Sequence, residues 1–161
     1  MIIVLMGVAG SGKTTIGAQL AQELNWAFYD GDSFHPESNV AKMAQGIALT
    51  NEDRTGWLHR LRALIDDLVR TGMPAVITCS ALKESYRQML RADGDEAHFV
   101  YLRGTYQLIK ERLERRRNHF MPAGLLASQF EALEEPDGVL TIDVSQQPDA
   151  IVRAIRRGLG V

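Results

Sequence analysis

The sequence predicts a single α/β domain over residues 1–161, with a five-stranded, mostly parallel sheet and helices on both of its faces. Three observations lead there. Short apolar runs of β character recur at IIVLM (2–6), WAFY (26–29), AVITC (75–79), HFVYL (98–102) and VLTID (139–143). Segments with helical spacing of apolar residues separate them. A glycine-rich loop, GVAGSGKT (7–14), joins the first run to the first helical segment. Such alternation favours parallel strands joined by right-handed crossovers. Ligands of these sheets bind beyond the C-terminal strand ends, where LMGVAG, FYDGD and TCSAL fall.

The elements follow in chain order. After the glycine loop, Ile16, Leu20 and Leu24 recur every four residues and predict a helix. If the run 26–29 lies beside the strand at 2–6, Asp30 and Asp32 reach the γ-phosphate held by the loop. Pro36 suits the first turn of a short helix that closes near Gly46. From Asn51, residues Trp57, Leu58, Leu61, Leu64, Ile65 and Leu68 form a wide apolar stripe. Thr50 or Asn51 caps that helix, and Gly72 followed by Pro74 ends it. The spacing in CSALKESYR (79–87) puts Lys83 and Arg87 on one helix face. Between 103 and 119 the chain is basic, and Glu131, Glu134, Glu135 and Asp137 follow with no basic residue among them.

Composition narrows the function. With 45% apolar and 24% charged residues, the chain is an ordinary soluble globular domain. A net charge of −2 and a pI near 6.1 give no reason to expect nucleic-acid or membrane binding. The single cysteine, Cys79, sits in an apolar strand pattern and has no internal partner, which fits a reducing compartment. The apolar run 2–6 is too short for a signal sequence or a membrane span, so a cytoplasmic location is expected.

Gly7, Val8, Ala9, Gly10, Ser11, Gly12, Lys13 and Thr14 satisfy G-x-x-x-x-G-K-[ST], between a strand and an amphipathic helix as that signature requires. This predicts the P-loop NTPase fold. Glycines let the backbone curl so that N–H groups converge on phosphate oxygens at a helix N-terminus. Lys13 would reach the β- and γ-phosphates, the Thr14 hydroxyl would ligate Mg²⁺, and Thr15 completes the nucleotide-binding set. No N-K-x-D stretch for reading guanine is present, and the chain length favours a small kinase.

The stretch FYDGDSFHP (28–36) sets two carboxylates one residue apart. On an extended segment their side chains share a face, roughly 6–7 Å apart. At an effective dielectric near 20 they would repel by about 2.4 kcal/mol. A nearby Mg²⁺ turns that repulsion into attraction to a shared cation. Asp30 would then hold Mg²⁺ through water. Asp32 would accept a hydrogen bond from the attacking hydroxyl, orienting it or taking its proton. The structural alternative is a turn in which Asp30 and Gly31 supply loop chemistry only. His35 fits either a contact to a polyhydroxylated acceptor or a helix cap.

The motifs GVAGSGKTT, DGDSFHP, NVAKM, D-R-x-x-W-L, C-S-A-L-K-x-x-Y-R and H-F-M-P-x-x-L-L-x-S-Q-F-x-x-L-E-x-P together resemble gluconokinase, from about Ile2 to Asp143. This family of small sugar-acid kinases is related in fold to shikimate and nucleoside monophosphate kinases. The resemblance implies ATP-dependent phosphorylation of the 6-hydroxyl of D-gluconate, giving 6-phosphogluconate and ADP, and a homodimer. It implies that Arg54 is available to the substrate carboxylate, which a guanidinium grips with two parallel bonds; Arg87 is the second choice. Ser80, Lys83 and His35 complete the acceptor set. Surface ion pairs are the plainer alternative for the two arginines.

The basic segment followed by HFMPAG predicts a lid over about 115–135 that carries arginines to the phosphates when it closes. Arg116 is the catalytic candidate among Arg103, Lys110, Arg112, Arg115, Arg116 and Arg117. In the related kinases an arginine before the lid packs on adenine, and Arg112 and Arg115 both match. Phe120, Met121, Leu125, Leu126 and Phe130 are expected beneath the lid. Two rival readings remain at this level: a kinase for another small hydroxy acid or sugar acid, and a non-catalytic nucleotide sensor.

Overall fold

Five parallel strands, β1 (Ile2–Met6), β2 (Ala27–Asp30), β3 (Ala75–Thr78), β4 (Ala97–Arg103) and β5 (Leu140–Asp143), form one sheet in the order β2–β3–β1–β4–β5. The computed structural model describes residues 1–91, 96–116 and 123–161. Every predicted strand is present, with ends moved by a residue or so. The helices are α1 (Lys13–Leu24), α2 (Glu37–Ala44), α3 (Asn51–Arg70), α4 (Glu84–Leu90), α5 (Tyr106–Arg115), α6 (Ala123–Ala132) and α7 (Pro148–Leu159).

The condition that β2 lies beside β1 is not met. β2 pairs with β3 in the register Ala27↔Ala75 to Asp30↔Thr78, and β3 separates it from β1. The crossover through α1 leaves one slot between β2 and β1, which β3 fills later in the chain.

β1 is buried along its whole length and feeds both layers of the core. Its odd residues, Ile3 and Leu5, pack with Ile16 and Leu20 of α1, Ile109 and Leu113 of α5, and Ile151, Val152 and Ile155 of α7. Its even residues, Ile2, Val4 and Met6, pack with Trp57, Leu58, Leu61, Ile65 and Leu68 of α3 and Tyr86 and Leu90 of α4. Burial of each such side chain favours folding by about 1.5–3 kcal/mol. This apolar demand on both faces explains why IIVLM shows no polar alternation.

Thr50, not Asn51, caps α3. Its hydroxyl accepts from the Asp53 N–H at 3.1 Å, and its own N–H donates to the Asp53 carboxylate at 2.9 Å. α3 stops at Thr71, followed by Gly72 in the left-handed region. Pro36 stands just before α2 rather than in its first turn.

A 3₁₀ turn, Gly31–Phe34, follows β2 directly. There the Trp57 indole N–H donates to the Gly31 carbonyl at 2.7 Å, and the Gly31 N–H donates to the Thr78 hydroxyl at 3.3 Å. A β-carbon on residue 31 would penetrate the Thr78 carbonyl oxygen. Glycine between the two aspartates is thus a requirement of close backbone approach. Gly31→Ala must push β2 and β3 apart at the site, and should destabilise by about 3 kcal/mol. Thermal denaturation should show a midpoint lower by about 6–12 °C; an unchanged midpoint would contradict the close approach.

Candidate active site

The loop after β1 curls through Gly7 (φ 145°), Gly10 (φ 79°) and Gly12 (φ 94°), conformations that favour glycine at all three positions. The Lys13 ammonium folds back over the loop and donates to the carbonyls of Gly7 at 3.0 Å and Val8 at 2.8 Å. Burial lowers its pKa, while Asp32, Cys79 and Asp30 oppose that shift. The Ser11 hydroxyl is buried with no hydrogen-bond partner. A curled glycine loop, an inward ammonium and an orphaned hydroxyl suit a triphosphate, whose oxygens accept from all of them.

Asp30 and Asp32 divide as a consequence of local structure. Asp30 ends β2, but Asp32 lies in the 3₁₀ turn, so the extended geometry expected for the pair is replaced. The Asp30 carboxylate accepts from the Thr14 hydroxyl at 3.2 Å, the Thr78 hydroxyl at 3.1 Å and the Asp32 N–H at 3.1 Å. The turn chemistry offered as the structural alternative is therefore real for Asp30, alongside its place next to Thr14. The Asp32 side chain is 76% exposed and faces the cleft shared with Lys13, Arg54 and Ser80. His35 also lines this cleft and stacks on Trp57 with centroids 4.1 Å apart and planes 19° apart.

The acceptor-side expectations separate on inspection. Arg54 lines the cleft, donates to the Leu49 carbonyl at 2.6 Å, and lies 5.8 Å over the Tyr86 ring. Ser80 lines it too, and its carbonyl accepts the Gly7 N–H at 3.2 Å. Arg87 does not fit the carboxylate role. It is 1% exposed and donates to the carbonyls of Ala81 at 2.9 Å and Leu82 at 3.2 Å and to Glu84 at 2.8 Å. Lys83 caps α4 from outside, and its ammonium donates to Asn51 Oδ1 at 3.1 Å. Lys83 and Arg87 therefore do not share a face toward the acceptor, because the helix begins only at Glu84 and Arg87 turns back beneath the CSALK loop.

On the other side of the loop, Arg112 donates to the Val144 carbonyl and lines a second cleft with Gly12, Thr15, Gln146 and Pro148. Arg115 is exposed and borders neither cleft. Arg116 borders both clefts and acts electrostatically on Lys13. Of the expected lid, Arg117, Phe120 and Met121 lie outside the described residues. Leu126 is buried in the core, and Phe130 meets Tyr106 edge-on at 5.3 Å.

Three contributors escaped sequence reasoning. Gln129 of α6 accepts the Ala9 N–H at 2.7 Å, tying the helix to the phosphate loop. Its only sequence signal is membership of the SQF run. Thr78 has no local signal, and Trp57 reads as a core residue. Around the acceptor side, Lys42 of α2 donates to both carboxylate oxygens of Asp53 at 2.9 and 2.8 Å. That bond, with the Thr50 cap, lowers the Asp53 pKa to about 2.

Comparison with known proteins follows the same lines. A family profile described as shikimate kinase matches residues 9–135. The chain is 43% identical over 160 residues to the thermosensitive gluconokinase of Escherichia coli (strain K12), covering 97% of this chain and 86% of that one. It is 42% identical over 158 residues to the gluconokinase of Gluconobacter oxydans (strain 621H), covering 96% and 89%. The crystal structure of a gluconokinase from Sinorhizobium meliloti 1021 is similar with a TM-score of 0.88 at 42% identity, over 98% of this chain and 90% of that chain.

Arg87→Met should act on stability and not on substrate binding. It leaves the buried Ala81 carbonyl without its donor and takes one donor each from Leu82 and Glu84, at a cost of about 3 kcal/mol. A large rise in acceptor KM with an unchanged melting temperature would instead put Arg87 at the acceptor. For Asp53, a folded-state pKa of about 2 against the ordinary 3.8 means its contribution to stability is complete above 3.8 and lost as pH falls through 2. In Lys42→Met, carbon-13 titration should show the Asp53 midpoint rising from about 2 toward 3.8; an unmoved midpoint would contradict the pairing.

Proposed function

The chain belongs to the gluconokinase family and carries a shikimate kinase family domain, and we propose that it transfers the γ-phosphoryl group of ATP to the 6-hydroxyl of D-gluconate. The products are 6-phospho-D-gluconate and ADP. The observation that carries this reading is one cleft lined by Lys13 of the phosphate loop, by Asp32, whose charge acts on Lys13, and by Arg54.

The loop amides and Lys13 hold the β- and γ-phosphates, and Ser11 supplies a hydroxyl inside the cradle. Arg112 lies against the base, and Arg116, at the C-terminal end of α5, reaches toward the phosphates. Charge on the transferred group is spread over its oxygens, which arginine and lysine stabilise without a covalent step. Thr14 and Asp30, whose side chains meet at 3.2 Å, would hold Mg²⁺, Asp30 through water, and the ion would supply charge neutralisation at the phosphates.

Asp32 accepts the hydrogen bond of the 6-hydroxyl and aims its oxygen at the terminal phosphorus. As the new O–P bond forms and the bond to the β,γ-bridging oxygen breaks, the hydroxyl proton passes to Asp32 and then to solvent. Arg54 grips the gluconate carboxylate, while Ser80 and His35 meet the hydroxyl chain. Closure of the segment at about 115–135 excludes water, the competing acceptor. A homodimer and a cytoplasmic location belong to the same reading. Among the described residues no helix is long and apolar enough to cross a membrane, and Cys79 is buried, its thiol pushed up to about 12 by burial.

The test is ADP release with D-gluconate, other aldonates, shikimate and nucleoside monophosphates as acceptors. Gluconate should accelerate release far above the acceptor-free rate; equal rates would reject the assignment. Asp32→Asn should lower kcat by about 10²–10⁴-fold while ATP still binds. A variant keeping more than about a tenth of normal turnover would remove Asp32 from proton transfer.

A further inference from the structure

Asn39 is a side chain the reaction scheme does not use. It is 2% exposed, lies on α2, and points into the space between α2, α3 and the 3₁₀ turn. Its carboxamide nitrogen donates to the Asp53 backbone carbonyl at 2.7 Å, and the same nitrogen lies 3.2 Å from His35 Nδ1. A carbonyl oxygen only accepts, so the Asp53 contact fixes which end of the amide is nitrogen. One N–H is engaged there, and the other points at the ring. His35 Nδ1 must then be a bare acceptor, and the ring proton resides on Nε2.

That nitrogen faces the cleft. It lies 3.9 Å from Asp32 Oδ1, too far for a direct hydrogen bond. An oxygen bridging the gap would accept from Nε2–H and donate to the carboxylate. Among the functional groups of an acceptor, only a hydroxyl does both at one atom; an ionised carboxylate or phosphate oxygen has no proton for Asp32. The ring is held against swivelling by its stack on Trp57, itself fixed through the Gly31 carbonyl. Burial lowers the His35 pKa, with Asp32 opposing and Arg54 assisting, so the ring stays neutral.

We propose that Asn39 is a positioning residue, which fixes His35 in the Nε2–H tautomer so that His35 and Asp32 together select an uncharged hydroxyl of the acceptor. This rests on the sugar-acid kinase reading for the identity of the acceptor, but the tautomer does not.

Nitrogen-15 NMR of the full-length protein, without ligands and at neutral pH, reads the tautomer directly. The expected result is an unprotonated His35 Nδ1 and a protonated Nε2, with Asn39→Asp moving the proton to Nδ1. A protonated Nδ1 in the unmodified protein overturns the proposal. This readout does not depend on gluconate being the substrate, so failure of the functional reading is seen separately, in the acceptor panel.

Kinetics supply the second arm. Asn39→Ala should lower kcat/KM for gluconate by about tenfold or more while the ATP Kd stays within about twofold. His35→Gln, whose amide nitrogen takes the place of Nε2, should retain more activity than His35→Asn, whose nitrogen reaches only the Nδ1 position. This comparison holds even where an Asn39 variant folds poorly. Equal or reversed activities of the two His35 variants, or an Asn39→Ala enzyme with unchanged gluconate kinetics, overturn the proposal.

Discussion

The site depends on one carboxylate. Asp30 accepts from the Thr14 hydroxyl at the start of α1, the Thr78 hydroxyl at the end of β3 and the Asp32 N–H of the following turn. β2 is an edge strand separated from the phosphate-loop strand by β3, so no backbone ladder joins the two. Asp30 makes that connection through side chains, and Thr78 serves as the relay across the intervening strand. Gly31 permits it, because only a residue without a β-carbon lets the turn settle on the Thr78 carbonyl. Asp32 is thereby left exposed in the cleft, free of the structural bonds that occupy its neighbour.

A second network joins the CSALK loop to the chain that leaves α6. The Leu82 carbonyl accepts both the buried Arg87 guanidinium and the Glu134 backbone N–H, the latter at 2.8 Å. The Glu134 carboxylate returns to accept the first N–H of α4 at 2.7 Å, and Tyr101 donates to Glu135 at 3.2 Å. The chain leaving α6 is therefore fastened to the CSALK loop. At the other end of the same connection, Gln129 holds the Ala9 N–H of the phosphate loop. The two motifs most specific in the sequence, CSALK-x-x-YR and SQF-x-x-LE-x-P, are thus physically one unit. The chain leaving α6 is anchored by groups that also shape the CSALK loop.

Most of the fold is legible in the sequence because each element follows a local rule. The five strands are apolar runs, α3 announces itself by its stripe and cap, and the glycine loop by its signature. The phosphate side of the site is legible for the same reason, since a loop of consecutive residues builds it. What the sequence hides is non-local. The edge placement of β2 depends on β3, a strand far along the chain, taking the place beside β1, and not on any residue in WAFY. Arg87 shows the complementary limit: spacing sets its helix position, but its burial depends on where α4 starts. A guanidinium that satisfies backbone carbonyls and one that awaits a substrate look alike in sequence. Gln129 and Asn39 lie within recognisable motifs, yet their bonds to Ala9, Asp53 and His35 appear only once helices pack.

The charges along the cleft follow the shape of its acceptor. Gluconate carries its anionic group at one end of a six-carbon chain and the reacting hydroxyl at the other. Lys13 acts on Asp32 through its charge but donates its hydrogen bonds to the Gly7 and Val8 carbonyls. A cation hydrogen-bonded to Asp32 would withdraw that carboxylate from the hydroxyl, since charge-assisted bonds outcompete neutral ones. The residue found there is a histidine kept neutral by burial. Arg54 stands one helical turn before Trp57 on α3, displaced by about 5 Å along the helix axis. Its positive charge lowers the His35 pKa, so the residue suited to the carboxylate also helps keep the ring neutral. Cation and neutral donor are therefore interdependent: moving Arg54 outward would relax the ring toward protonation, and a charged ring would compete for Asp32.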